Sequence, residues 1–211
     1  MTKTIYTAFC NNYDSLKEPR VITNGWKYIC YTNDSSIKSD VWDVIVDPEM
    51  NTVKDVRHKK IIPPFESDIS IWADASMTIN CDLGQFVFDN MKEDFCIMTH
   101  PDRNCVYEEA MACIRYKKDS TKTITDQVLA YDKMGYPKNR GMVGSGVILR
   151  KHTSSVFDFC HLWNEEVQNR SHRDQLSFNY AQWRCGLKYH MIDFSITKKE
   201  FILQPHTHRL K

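Results

Sequence analysis

The stretch Ile69–Ile79, in which a single carboxylate interrupts an apolar run, places the strongest constraint on how this chain folds. Apolar residues dominate both sides of Asp74, and such a run is typical of a strand buried inside a sheet. A buried carboxylate is costly unless a cation or several hydrogen-bond donors pair with it. Ligands of α/β sheets bind at the carboxyl ends of strands, so Asp74 is a candidate ligand-binding residue. The alternative is that Asp74 caps a turn or a helix.

Strand-like and helix-like segments alternate along the rest of the chain. Strand patterns cover Lys3–Cys10, Trp26–Thr32, Val41–Val46, Ser70–Trp72, Phe95–Thr99, Gly144–Arg150 and Tyr189–Ile192. Helical segments are predicted at Val53–Ile61, Phe86–Met91, Cys105–Tyr116, Thr123–Met134, Ser155–Arg170 and Arg173–Cys185. This alternation predicts an α/β fold, with a mixed, mostly parallel central sheet flanked by helices. No linker or repeat divides the chain, so we expect one domain over residues 1–211.

Composition excludes several classes of protein. The chain of 211 residues carries a formal net charge of +1, whereas nucleic-acid binders usually show a clear basic excess. Its eight cysteines form no CxxC pair, and the N-terminus lacks the apolar run of a signal peptide. No apolar run approaches the roughly 20 residues that span a bilayer. We therefore expect reduced thiols in a cytoplasmic compartment, no nucleic-acid partner and no membrane segment.

Two common phosphate-binding loops are missing from the sequence. There is no GxGxxG after the first strand and no GxxxxGK[ST] in the chain, so the phosphates of a nucleotide would need another device. That device could be a metal ion, because Asp74 and the tail histidines His206 and His208 combine carboxylate and imidazole ligands. Such a set suits Mn²⁺, with Mg²⁺ as the alternative ion, although Mg²⁺ prefers more oxygen ligands. The alternative is a solvated tail.

A basic segment precedes the strand that leads to Asp74. Arg57 and Lys60 fall three residues apart on one face of the predicted helix, where they could neutralise a diphosphate. Arg57 is also a candidate partner for Asp74. The alternative is an ordinary solvated helix face.

Glycines and polar residues mark three further positions. Gly144-Ser145-Gly146 precedes a strand and would let a ligand approach the backbone, unless it forms a β-bulge. Asp174 and Gln175 begin a predicted helix, where Asp174 could be an N-cap. Asp102 follows a strand, in a position that suits either a site or a plain turn.

Several of these segments together resemble the GT-A glycosyltransferases. Asp74-Ala75-Ser76 resembles the DxD motif of that family, with Ser in the third place. Gly144–Leu149 is similar to a strand motif of the retaining, glycogenin-like branch, and Asp174-Gln175-Leu176-Ser177 follows at about the spacing of that branch. The first strand, at Ile5–Ala8, resembles the uridine-binding strand of these enzymes.

Nearly the full length also resembles a narrower group. Trp72–Ser76, Arg103–Ala110 and Arg173–Phe178 are similar to the plant and microbial glycosyltransferase-like domains of the mucilage-pectin type. They also resemble the first domain of chlorella-virus glycosyltransferases that build capsid glycan. The resemblance implies a GT-A domain with a nucleotide-binding half at about 1–100 and an acceptor half at about 101–211. Such a domain can be part of a longer multidomain protein and, if viral, would work in the host cytoplasm.

The resemblance implies a metal-dependent transfer of a hexose-type sugar from a UDP-sugar to a glycan or glycoprotein acceptor, with retention of configuration. The donor would be UDP-glucose or a related UDP-hexose or UDP-deoxyhexose. Asp74 would hold Mn²⁺ together with a tail histidine, and Asp174 and Gln175 would face the sugar. If the enzyme inverts instead, Asp174 or Asp102 is the expected general base. The remaining residues expected to contact the nucleotide or its phosphates are Thr7, Ala8, Tyr13, Arg57, Lys60, Ala75, Ser76, Gly144 and Ser145.

Two other functions stay open at this point. Ser76 in place of a carboxylate favours a binding module that holds a nucleotide-sugar or a glycan without turnover. A nucleotidyltransferase would usually need a glycine- and lysine-rich loop after the first strand, and Cys10-Asn11-Asn12-Tyr13 is not such a loop.

Overall fold

The computed structural model describes residues 1–205 of the chain. The strands are β1 (Lys3–Phe9), β2 (Lys27–Thr32), β3 (Asp43–Val46), β4 (Ile69–Ala73), β5 (Met77–Ile79), β6 (Phe95–Thr99), β7 (Val143–Lys151), β8 (His190–Ile192) and β9 (Phe201–Leu203). The helices are α1 (Val53–Ile61), α2 (Leu83–Asn90), α3 (Val106–Arg115), α4 (Thr121–Lys133), α5 (Ser154–Asn169), α6 (Asp174–Cys185) and α7 (Phe194–Glu200).

The described strands form one large sheet and one small sheet. Seven strands pair in the order β3-β2-β1-β4-β7-β6-β8, and β5 pairs with β9 in a separate two-stranded sheet. Within the large sheet β7 is antiparallel to both of its neighbours, and the other pairs are parallel. The predicted fold class, a mixed and mostly parallel sheet flanked by helices, is confirmed.

Strand β4 is apolar throughout because both faces of the sheet are covered. All five of its residues are buried. Ile69, Ile71 and Ala73 pack into the cluster on one face, whereas Trp72 packs into the cluster on the other. Since successive side chains of a strand point to opposite faces, a strand with two buried faces shows a continuous apolar run.

Helix α1 begins and ends with favourable local chemistry. Thr52 and Asp55 form a capping box, in which the Thr52 hydroxyl accepts from the Asp55 amide and the Asp55 carboxylate accepts from the Thr52 amide. His58, Lys59 and Lys60 lie in the last turn, where positive charge complements the helix dipole.

Three features differ from or extend the sequence-based expectations. Helix α7 was not predicted, and the part of the Ile69–Ile79 apolar run that follows Asp74 forms a separate strand, β5, whose partner β9 comes from the far end of the chain. The pairing of β6 with β7 shifts register, with Ile97 opposite Ile148 but Met98 opposite Gly144. The glycines before Val147 therefore lie at a strand irregularity, which was the alternative to an open ligand approach.

No helix among residues 1–205 combines the length and the apolar character that a membrane span requires. Cysteines Cys10, Cys30, Cys81, Cys96, Cys105, Cys113 and Cys160 are buried free thiols, and Cys185 is an exposed free thiol.

Candidate active site

A cavity of about 560 Å³ opens at the carboxyl ends of β1 and β4. Its walls come from five parts of the chain: the end of β1 with the residues after it, helix α1 with Asn51 just before it, the end of β4 with the β4–β5 turn, the residue Lys118 after α3, and the segment before α6. Leu203 of β9 also lines it. This main cavity lies where α/β sheets bind ligands, as the position of Asp74 predicted.

Asp74 is held at the end of β4 with part of its side chain in the main cavity. Its amide donates to the Gly146 carbonyl at 2.9 Å, and its carbonyl accepts from the Met77 amide at 2.8 Å, which closes a tight turn. Oδ1 accepts from Trp72 Nε1 at 2.7 Å and lies 3.4 Å from Lys60 Nζ. Within the described residues, Oδ2 makes no hydrogen bond or ion pair, and the side chain is 34% exposed. One carboxylate oxygen is therefore available to a ligand.

A buried ion pair lies beneath Asp74. Lys60 Nζ is 2.7 Å from Asp174 Oδ2, and the side chains of both residues are 1% exposed. Lys60 also donates to Ser145 Oγ at 3.0 Å, and Arg57 Nε lies 3.6 Å from Asp174 Oδ1. Burial acts to raise the pKa of Asp174, but the charges of Lys60 and Arg57 outweigh it and hold that pKa well below its usual range. Asp174 is therefore an ionised carboxylate that fixes two cations.

The main cavity is also lined by positive charge. Arg57, Lys118 and Arg173 line it, and we refer to these three residues as the basic wall. Nε of Arg57 and Nε of Arg173 are buried without a hydrogen-bond partner among the described residues. Burial acts to lower the pKa of Arg57, but the charges of Asp174 and Asp74 raise it overall, so its positive charge is permanent. An anion is the ligand that would satisfy these donors.

His172 lines the same cavity as a neutral ring. Burial is the largest cause that lowers the pKa of His172, although its Nδ1 lies 2.9 Å from Asp119 Oδ2. The neutral imidazole adds hydrogen-bonding capacity beside the basic wall without adding charge.

The structure brings together six of the residues expected at the site. Those that line the main cavity are Ala8, Tyr13, Arg57, Asp74, Ala75 and Ser76. Lys60, Ser145 and Asp174 lie directly beneath them in the hydrogen-bonded cluster. The structure pairs Arg57 with Asp174, and it places Lys60 within ion-pairing distance of Asp74.

The other expected residues lie apart from the main cavity. Thr7 lines a smaller pocket that also touches Asp74, and its buried hydroxyl has no hydrogen-bond partner among the described residues. The space above Gly144 is filled, because a Cβ there would come within 2.6 Å of Met98 Cε. Asp102 is exposed on the loop after β6. Their roles in binding or catalysis stay predictions.

Gln175 is engaged by neighbouring side chains. Its Nε2 donates to Glu109 Oε1 at 2.8 Å, and its Oε1 accepts from Arg173 Nη2 at 3.0 Å. Arg103 and His100 also contact the buried Glu109 carboxylate. Gln175 thus links the basic wall to a buried polar network, and its contact with a sugar stays a prediction.

Sequence reasoning missed part of the basic wall. Lys118 and His172 lie in connecting segments with no periodic pattern, and Arg173 was noted only as a neighbour of Asp174. The signal that could have found Arg173 is its place immediately before the Asp-Gln pair at a helix start. Lys118 follows α3, whereas most of the residues that line the cavity with it belong to the first half of the chain. Only the folding of the chain brings them together, so no local sequence pattern could have indicated Lys118.

The described donors fit a divalent ion only in part. Within residues 1–205, no group of three or more His, Cys, Asp and Glu side chains is arranged to hold a metal. Asp74 can supply Oδ2, whereas Ser76 is buried and uncharged. The expected ligands His206 and His208 lie outside the described residues. Any further ligands would have to come from that tail, from a bound phosphate or from water.

Comparisons with known proteins agree with the fold. The chain is 27% identical over 207 residues to "Alkaline ceramidase TOD1" of Arabidopsis thaliana, an alignment that covers 87% of this chain and 44% of that protein. A solved structure of the bifunctional glycosyltransferase WbbM matches with a TM-score of 0.51 and 7% identity, over 89% of this chain and 38% of that one. The chain thus spans less than half of either relative, and the likeness to WbbM shows the fold alone.

Residues 30–208 match the family described as "TOD1/MUCI70, glycosyltransferase-like domain". This match covers most of the chain and includes Asp74, the basic wall and Asp174. The chain belongs to the TOD1/MUCI70 glycosyltransferase-like domain family.

Proposed function

We propose that this chain transfers a hexose-type sugar from a UDP-sugar to a glycan or glycoprotein acceptor. UDP-glucose and related UDP-hexoses or UDP-deoxyhexoses are the donors we would expect. The observation that carries the proposal is that the basic wall and Asp74 line one cavity, at the carboxyl ends of β1 and β4. An anionic ligand of limited size fits such a cavity far better than a neutral ligand does.

The basic wall would act on the leaving group. Negative charge develops on the diphosphate as the bond from the sugar C1 to the phosphate oxygen breaks. Arg57 and Arg173 each hold a buried Nε that makes no hydrogen bond to the described residues, and fixed donors of this kind stabilise developing charge without reorganisation. Asp174 and Lys60 would act beneath them as positioning residues that hold Arg57 and Asp74 in place.

The nucleoside would lie toward the end of β1. Tyr13 is 51% exposed and lines the main cavity beside Ala8, so its ring offers a surface against which a base can pack. Thr7 lines a small pocket together with Asp74, its hydroxyl has no hydrogen-bond partner within residues 1–205, and it would support the same region.

A divalent ion completes the proposal, with Mn²⁺ expected and Mg²⁺ as the alternative. Asp74 is the described residue that would hold it through Oδ2, together with His206 or His208 and diphosphate oxygens. When bound, such an ion supplies Lewis-acid stabilisation of the departing diphosphate.

The stereochemical part of the proposal is retention of configuration, with Asp174 and Gln175 toward the sugar. In the structure both side chains are engaged by protein groups, so their contact with a sugar would follow rearrangement on donor binding. If the product is inverted, Asp174 or the exposed Asp102 is the proposed general base.

The test is UDP release from a panel of UDP-sugars, with and without Mn²⁺ and with a glycan acceptor. We expect release from at least one UDP-hexose, enhanced by Mn²⁺. Asp74→Ala should abolish metal-dependent UDP binding, whereas Asp126→Ala, which removes an exposed carboxylate of α4, should not. No release from any donor would contradict the transferase proposal, and unchanged UDP binding by Asp74→Ala would remove Asp74 from the site.

Two other functions make different predictions in the same experiment. A binding module with a degenerate DxD motif, which Ser76 favours, would bind UDP without releasing it from any donor. The name of the Arabidopsis relative introduces a ceramide hydrolase as the third candidate. Release of a fatty acid from a labelled ceramide, measured in parallel with UDP release, separates the hydrolase from the transferase.

A further inference from the structure

A second cavity of about 340 Å³ lies apart from the main cavity and shares none of its lining residues. It is enclosed by the segment between α1 and β4, the end of β7 and the first turns of α5. Apolar side chains form most of its wall, namely Ile62, Pro63, Phe65, Val156, Phe157 and Cys160. Its volume is within the usual range for small-molecule sites.

Arg150 is the unusual residue of this second cavity. It lies on the central strand β7 between β4 and β6, lines the cavity and is 1% exposed. Buried cations are usually paired with a carboxylate, because an uncompensated charge costs several kcal/mol to bury. Among the described residues, however, no carboxylate lies within ion-pairing distance of Arg150, and Glu66 at the cavity is exposed.

Neutral groups account for four of the five guanidinium protons. Nη1 donates to the Ile61 carbonyl at 2.9 Å and to Cys160 Sγ at 3.4 Å. Nη2 donates to the Lys60 carbonyl at 2.9 Å and to the Tyr6 hydroxyl at 3.1 Å. These contacts cap the end of α1, which explains why an arginine is tolerated here. Among residues 1–205 they leave Nε without a hydrogen-bond partner and the net charge without a counter-ion.

We propose that the second cavity binds a small amphipathic anion, with a carboxylate beside Arg150 and an apolar tail against the cavity wall. The carboxylate supplies the acceptor that Nε lacks and the charge that the buried guanidinium lacks. The tail removes apolar wall from water, which adds affinity in proportion to the area covered. This site is independent of the proposed transfer reaction, because the two cavities have no lining residue in common.

Calorimetry with octanoate tests the site. Acetate, which keeps the carboxylate but not the long apolar tail, and octan-1-ol, which keeps the tail but not the carboxylate, are the control ligands. We expect saturable octanoate binding, at least tenfold tighter than either control. Phe157→Asp places a negative charge at the cavity and should weaken octanoate at least tenfold. Phe157 is 58% exposed, so the variant should fold.

Phe88→Asp is the matched control, because Phe88 is 79% exposed on α2 and lines neither cavity. Its octanoate affinity should equal that of the unmodified chain. The proposal is overturned if millimolar octanoate shows no saturable binding, if octan-1-ol binds as tightly, or if Phe157→Asp leaves the affinity unchanged. Equal binding of octanoate and octan-1-ol would mean that Arg150 serves only to cap α1.

Discussion

The pair formed by Lys60 and Asp174 is the contact on which the candidate site most depends. Both side chains are 1% exposed, and removing one partner of such a pair leaves an uncompensated buried charge. We predict that Lys60→Met lowers the free energy of unfolding by about 3 kcal/mol in urea titrations. Lys122→Met, which breaks an exposed pair on α4, should cost no more than about 0.5 kcal/mol.

A second substitution distinguishes the loss of charge compensation from the loss of packing. In the Lys60→Met background, Asp174→Asn removes the unpaired charge and should restore a large part of the lost stability. A double-mutant cycle measures this coupling directly. If the two single losses simply add, the pair is not the source of the destabilisation.

The same pair predicts an acid dependence of stability. Because the pKa of Asp174 is lower in the folded chain than the unfolded value of about 3.9, its ionised form stabilises the fold above that pH. This contribution is lost as the pH falls below about 4 toward the folded-state pKa. Unfolding measured from about pH 5 downward should therefore lose stability more steeply in the unmodified chain than in the Lys60→Met/Asp174→Asn variant. If the free energy of unfolding falls equally steeply with pH in both proteins, the ionised Asp174 is not the source of the acid dependence.

At the residue scale, the sequence indicated which charges matter but not how they pair. The charge run identified Arg57 and Lys60, and the apolar run identified Asp74. Arg57 was expected beside Asp74, yet its described ion pair is with Asp174, which lies more than a hundred residues away in the chain. No local pattern encodes such a pairing, because it depends on how α1 and the start of α6 come together on one face of the sheet.

Helix α1 is the element that joins stability to ligand binding. It carries Arg57 into the main cavity and Lys60 beneath it, and its start is held by the Thr52–Asp55 capping box. Thr52→Ala should lower the free energy of unfolding by about 1 kcal/mol, since the first turn loses its cap. Because Arg57 lies in the next turn, fraying should also weaken UDP binding severalfold, measured by calorimetry.

A matched helix cap provides the control for this prediction. Asp82 caps α2 by accepting from the Gln85 amide, and neither residue lines the main cavity. Asp82→Ala should cost a similar free energy of unfolding and leave UDP affinity unchanged. Equal weakening of UDP binding by both variants would show that global stability, rather than α1, sets the affinity.

Elements differed in how well the sequence predicted them. The predicted bounds of α1 and β6 match the structure, because a capping residue and Pro63 flank α1, and a compact apolar run marks β6. The apolar run that resumes after Asp74 indicated β5, but its pairing with β9 in a separate sheet was not predicted. Elements defined by distant partners leave little trace in local periodicity.

At the scale of the whole molecule, the main cavity is assembled from distant parts of the chain. The alternation of strand and helix patterns predicted the sheet, and the apolar run predicted that Asp74 lies at the end of a strand. They did not predict that the segments after α3 and before α6 would meet α1 and complete the basic wall. The second cavity was not predicted either. In the sequence, Arg150 follows an apolar run, where a charged residue usually indicates the exposed end of a strand and not a buried position.

A ligand in the main cavity should therefore stabilise the domain as a unit. It would contact residues after β1, in α1, after β4 and before α6, and anything that binds only the folded state raises stability by mass action. At about 100 times its dissociation constant, UDP should add about 2.7 kcal/mol, which for a chain of this size raises the melting temperature by roughly 5–10 °C.

The diphosphate should carry most of this effect, because the basic wall would contact phosphates rather than the nucleoside. Uridine at the same concentration should shift the melting temperature little, and Mn²⁺ should increase the shift with UDP but not with uridine. In Asp74→Ala, the shift with UDP should no longer respond to Mn²⁺. A shift as large with uridine as with UDP would mean that the basic wall does not bind the diphosphate, and the proposed donor site would then be wrong.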